Sequence, residues 1–199
     1  MPKSPVRFCP FRSGPVRRCP GRTVAEAAGA AGVLVRQAAP ADIAAIVEMV
    51  RELAAYEEAA HRVEASEAEL GAALFGPARR VWAKVAELPK GEVAGMAVYF
   101  FSFSTWTGRH GIYLEDLYVR PHARRRGVGR RLLEALAAEA VESGLPRVEW
   151  LVLDWNTPAI DFYRSLGAEP MDGWTTFRLS GSALDAAGRP AAPGPAPGC

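Results

Sequence analysis

Cysteine is nearly absent from this 199-residue chain, and its few copies are misplaced for a disulfide framework. Cys9, Cys19 and Cys199 all lie in the terminal segments. The body therefore has no disulfide set, and the expected compartment is reducing, read here as the cytoplasm. Histidine is also sparse. His61, His110 and His122 show no ligand spacing, so no metal site is expected. No apolar run approaches the roughly 20 residues of a membrane helix, and no membrane span is expected. There is no internal repeat. Acidic residues are missing from residues 1–25, which hold six basic ones: Lys3, Arg7, Arg12, Arg17, Arg18 and Arg22. The rest of the chain then carries 18 basic against 22 acidic residues, a net charge of −4. A mildly acidic body argues against a nucleic-acid partner.

What is present is an ordinary globular balance, 49% hydrophobic and 23% charged, enough to bury a core without disulfides or metal. Residues 1–32 read as a disordered basic extension. A mitochondrial presequence fits less well, because Pro2, Pro5, Pro10, Pro15 and Pro20 break the amphipathic helix it requires. Residues 181–199 read as a disordered Pro/Gly/Ala-rich tail. Between them, residues 33–180 read as one domain.

Within that domain, residues 33–36 predict a strand. Asp42 caps a helix whose apolar positions are Ile43, Ile46, Val47, Val50 and Leu53. Ser66 and Glu69 have capping-box spacing for a second helix ending near Phe75. Strands are expected over 81–86, 92–103 and 112–119, with a turn over 104–111. A helix follows the loop 124–129 and stops at Gly144. The spacing then predicts a strand over 148–153, a helix capped by Asn156 and a last strand over 174–179. The fold class is α/β, a mixed twisted sheet flanked by helices.

The most informative segment runs from Tyr113 to Leu133. A strand leads into Arg124-x-x-Gly127-x-Gly129, and a helix begins at once. Glycines let a backbone approach a ligand closely. The first N–H groups of a helix lack internal partners and carry partial positive charge, so they suit phosphate or diphosphate. Alone, the pattern fits equally a Gly-capped turn with a solvated basic face. It is neither a Walker loop nor a dinucleotide fingerprint.

Arg124-Arg-Arg-Gly-Val-Gly129 resembles the acetyl-CoA signature of the GNAT N-acetyltransferases. Further segments resemble the diamine (spermidine/spermine) N1-acetyltransferase family: residues 51–57, 104–108, 113–116, 153–156, 161–163, 167–168 and 173–174. They occur in family order over roughly residues 33–180. The resemblance implies acetyl-CoA as acetyl donor, no metal, a homodimer and direct attack by an amine in a ternary complex. It implies Glu115 as the base and Tyr163 as the acid for the departing thiolate. The coenzyme would meet Leu117, Tyr118, Val119, Arg124, Arg125, Arg126, Gly127, Val128, Gly129, Arg130, Asn156 and Tyr163. The amine would meet Tyr56, Glu57, Trp106, Glu115, Asp116 and Trp174.

Chemistry agrees with parts of this. An alkylamine has a pKa of about 10.4 and must lose a proton before it attacks, which a carboxylate can accept. A phenol stays protonated near neutrality and can donate to a thiolate. Glu115 and Asp116 are neighbours on a strand, so they point to opposite faces unless a bulge intervenes. Ser104 stands where polyamine-specific members carry an acid, and Ser-Thr-Trp is similar to the branch that acts on thialysine. His110-Gly111 reads as a one-residue lengthening of the turn. The favoured substrate is a small lysine-like amine or diamine. The alternatives are a polyamine, a protein or peptide amine, and a CoA-binding module without activity.

Overall fold

The computed structural model describes residues 32–189. The expected basic extension, but for Gly32, and the Pro-rich end of the tail lie outside the described residues. The chain divides into two compact units after Leu151.

The first unit is built on a five-stranded sheet in the order β1 (Leu34–Gln37), β2 (Trp82–Glu87), β3 (Val93–Ser104), β4 (Arg109–Val119) and β5 (Val148–Glu149). Neighbours are antiparallel except β4 and β5, which are parallel. Helices α1 (Ile43–Tyr56) and α2 (Glu67–Phe75) cover one face. There Ile46, Met49 and Leu74 pack with Ala83, Val85, Met96, Val98 and Tyr118. Helix α3 (Val128–Glu142) covers the other face. Gly95 makes that approach possible, because a side-chain carbon there would sit 3.0 Å from Val128 and 3.2 Å from Leu132. On the same face the Tyr99 hydroxyl donates to the Glu139 carboxylate at 2.9 Å, and Lys84 pairs with Glu139 at 2.7 Å.

Local chemistry explains the helix ends. The Glu69 N–H donates to Ser66 Oγ and the Ser66 N–H returns to the Glu69 carboxylate, a reciprocal cap for α2. Gly144 takes φ +66 after α3, and the Leu145 N–H reaches back to the Ala140 carbonyl at 2.7 Å. Asp42 corrects an expectation. Its carboxylate does not cap α1; it accepts from the Ala39 N–H and from both terminal nitrogens of Arg36. An arginine fork satisfies a buried carboxylate better than one amide does.

The hairpin also differs from the expected turn over 104–111. Residues 105–108 alone make the turn, while His110 pairs with Phe103 and Gly111 with Ser102. The two residues read as a lengthened turn are strand, because the ladder continues to Arg109 and Ser104.

The second unit contains α4 (Thr157–Arg164) and α5 (Gly181–Gly188). Asn156 caps α4, its Oδ1 accepting from the Ala159 N–H at 3.3 Å. Two expected strands fall short. The strand over 148–153 is strand only at Val148–Glu149, and residues 174–179 form none. Their β-forming side chains have no ladder partner, and Trp174 and Phe177 are 71% and 91% exposed. Propensity without a neighbouring strand does not make one. Residues 181–188, expected within the disordered tail, are helical, with every residue exposed. Among the described residues no helix is long and apolar enough to cross a membrane.

Candidate active site

The chain leaves β4 at Val119, makes a short turn over Pro121–Ala123 and enters the arginine loop. Two residues there are left-handed: Arg125 at φ +60 and Gly127 at φ +76. Gly127 is the N-cap of α3, and no side chain caps the helix. The first turn of α3 holds no acidic residue. The amides at its start are thus uncapped by side chains, at the end of the helix that favours negative charge. A side-chain carbon at Gly127 would meet nothing within 4 Å, so space remains over the loop for a ligand backbone. Arg124, Arg125, Arg126 and Arg130 are exposed around it, and Val128 is buried beneath. The residues present fit a diphosphate.

Arg124 stands apart from the others. Its Nε donates to the Val119 carbonyl at 2.9 Å. Its guanidinium lies 5.3 Å from the Tyr56 ring centre and 5.5 Å from that of Tyr118.

The carboxylates are placed by a defect in β4. Tyr99 of β3 pairs with Leu114, but the preceding Val98 pairs with Asp116. Glu115 is the extra residue, a β-bulge. Its effect shows in the packing. Leu114 pairs with Tyr99 on the α3 side, whereas Tyr118 pairs with Met96 in the cluster under α1. Asp116, paired with Val98, is therefore on the α1 side, as is Tyr113, whose ring lies 5.0 Å from Phe100. Burial, then the charge of Glu115, raises the proton affinity of Tyr113. So the bulge gathers Glu115 and Asp116 on one side, where strict alternation would have separated them.

Asp116 is partly buried and Glu115 exposed. Burial first, then Glu115, then Glu57 push the Asp116 carboxyl up to about 6. Glu57, the C-cap of α1, is itself raised by burial. The charges of Glu115 and Glu57 thus act on Asp116 in one region, where burial and like charge favour its protonated form below about pH 6.

Beyond Tyr113 no β4 residue pairs with β5, so Leu117, Tyr118 and Val119 have a strand partner only on the β3 side. Trp106 is in the hairpin turn, 85% exposed, and Tyr56 closes α1, 39% exposed. Asn156, Tyr163 and Trp174 belong to the second unit. Tyr163 is partly buried on α4, its ring 5.4 Å from Phe162. Among the described residues no cluster of three or more His, Cys, Asp or Glu could hold a metal.

Two features escaped the sequence reading. Arg124 gives no signal of its aromatic neighbours. The bulge does leave a signal: the apolar positions on the α3 side run Ile112, Leu114, then Leu117 and Val119, a change from even to odd.

Residues 46–168 match the family model described as Acetyltransferase (GNAT) family. The thialysine N-epsilon-acetyltransferase of Sus scrofa is 40% identical over 164 residues, covering 77% of this chain and 96% of the relative. The spermidine/spermine N(1)-acetyltransferase-like protein 1 of Homo sapiens is 32% identical over 155 residues, covering 73% of this chain and 22% of that protein. Among solved structures, an integron cassette protein from the mobile metagenome of V. cholerae matches with a TM-score of 0.65 at 26% identity, over 78% of this chain and 96% of its own. With its family match, its curated relatives and its mixed sheet in agreement, the chain belongs to the GNAT acetyltransferase family and is an acetyltransferase.

Proposed function

We propose that this protein moves an acetyl group from acetyl-CoA to a primary amine of a small lysine-like molecule or diamine, with thialysine favoured. The observation that carries the reading is the bulge that sets Glu115 and Asp116 on one side of β4, with Glu57 acting on Asp116. An acidic region recognises a cationic amine. Two further facts favour a small amine over a long polyamine. Ser104 brings no charge to the end of β3, and the thialysine enzyme is more similar to this chain than the spermidine/spermine-like protein is.

Acetyl-CoA supplies the acetyl group as a thioester. The uncapped amides from Val128 onward, with Arg125, Arg126 and Arg130, hold its diphosphate. Leu117 to Val119, unpaired on the β5 side, offer backbone groups to the pantetheine arm and the thioester carbonyl. Glu115, the exposed member of the pair, takes the proton from the amine directly or through water. Asp116 holds the ammonium charge before that transfer. The amine attacks directly, since no cysteine lies in residues 20–198 to carry the acetyl group. The Tyr163 hydroxyl gives the leaving sulfur its proton. Tyr56, Trp106 and Trp174 supply aromatic surface for the cation. A cytoplasmic homodimer completes the reading, on family resemblance.

The test is a panel of amines with acetyl-CoA, followed by release of free thiol. Thialysine should give a kcat/KM at least about tenfold above spermine, a margin one well-placed carboxylate can set. Equal values for the two would remove the substrate assignment; no thiol release with any amine would remove the activity.

A further inference from the structure

The arginine that opens the loop motif is held in a way its neighbours are not, and the partners that hold it lead to the amine side of the site. Arg124 donates Nε to the carbonyl of Val119, the last residue of β4. Its guanidinium faces two rings: Tyr118, in the core under α1, and Tyr56, the last residue of α1. Glu57 follows at once, and its N–H is bonded to the Leu53 carbonyl at 2.9 Å. One side chain thus joins the coenzyme loop, the end of the strand carrying Glu115 and the end of the helix carrying Glu57. A planar cation with a directional donor suits this post, because it can lie on a ring and still hydrogen-bond.

We infer that Arg124 is a positioning residue that couples the coenzyme loop to the amine pocket, rather than a ligand of the diphosphate. The inference rests on the acetyltransferase reading above. Ordering of the loop by coenzyme fixes Arg124, and Arg124 in turn fixes Tyr56 and Glu57. Amine should then bind more tightly to the coenzyme-loaded protein than to the empty one.

Lysine separates the two roles. It keeps the charge that a diphosphate ligand needs but loses the plane and the Nε donor. We therefore compare Arg124→Lys and Arg124→Gln in the full-length protein, using thialysine and acetyl-CoA for kinetics and CoA for calorimetry. Both variants should raise the thialysine KM about tenfold, roughly the worth of one charged hydrogen bond or two ring contacts, with CoA affinity within about threefold of the parent. Full rescue by lysine, or weakened CoA binding with an unchanged thialysine KM, would overturn the inference. Hydrogen exchange without ligands gives an independent arm. The Glu57 and Ala59 amides should lose protection in both variants, and unchanged protection would count against coupling. If the parent fails to acetylate thialysine, the functional reading falls, and the exchange arm still decides the role of Arg124. Arg124→Met, which keeps the length of the side chain, replaces the glutamine variant should that one not fold.

Discussion

The charge of Glu57, at the end of α1, acts on Asp116 on the α1 side of the sheet, and burial first, then Glu115 and Glu57, push the Asp116 carboxyl up to about 6. A carboxyl raised above its ordinary value of about 3.9 binds its proton more tightly in the folded chain than in the unfolded one. Its contribution is therefore present at low pH and is lost as pH rises from about 4 to about 6. Asp116→Asn should match the parent near pH 4 and exceed it by roughly 2 kcal/mol at pH 8, read by urea unfolding at both values. Equal stability of the two at pH 8 would contradict the raised carboxyl.

The same ionisation should appear in binding. Above about pH 6 Asp116 is anionic and attracts an ammonium group. The thialysine KM of the parent should fall as pH rises through that value, and the fall should be absent from Asp116→Asn. Steady-state kinetics between pH 5 and pH 8 would show it.

Glu115→Gln keeps the shape of the bulge residue and removes its proton-accepting group. Turnover should drop about a hundredfold, within the usual range for a general base, with CoA affinity by calorimetry near the parent value. Unaltered turnover would clear Glu115 of that duty.

Tyr163→Phe tests the acid. Turnover should fall about a hundredfold, while CoA affinity by calorimetry stays near the parent value. Activity equal to the parent would exclude the hydroxyl.

Ser104 closes β3, one residue before the turn that carries Trp106. Ser104→Asp should raise kcat/KM for spermine about fivefold and leave thialysine nearly unchanged, since only the longer cation has charge to spare for it. A parallel change for both amines would show that this position does not select between them.

Much of the architecture could be read from the residues alone, where the determinants are local. Ser66 and Glu69 announce the start of α2, and Asn156 that of α4, because a cap needs only its own next turn. The arginine loop is legible for the same reason. Residues 174–179 mislead, because a strand requires a neighbour that their own sequence does not specify. Asp42 misleads differently: its partner Arg36 is on a separate element, and nothing in helix periodicity points there. The acidic cluster is divided in the same way. Family resemblance nominates Glu57, Glu115 and Asp116, but the effect of Glu57 on Asp116 comes from the packing of α1 on the sheet.

Glu115 can be subtracted without disturbing the pattern on either side of it. Were it deleted, Tyr113, Leu114, Asp116, Leu117 and Tyr118 would alternate between the two faces as in an uninterrupted ladder. A gene lacking that one codon should still encode a well-formed sheet, now without the carboxylate proposed as the base. On that proposed role, a single triplet sets whether such a scaffold carries its proton acceptor, while its hydrophobic interior stays the same.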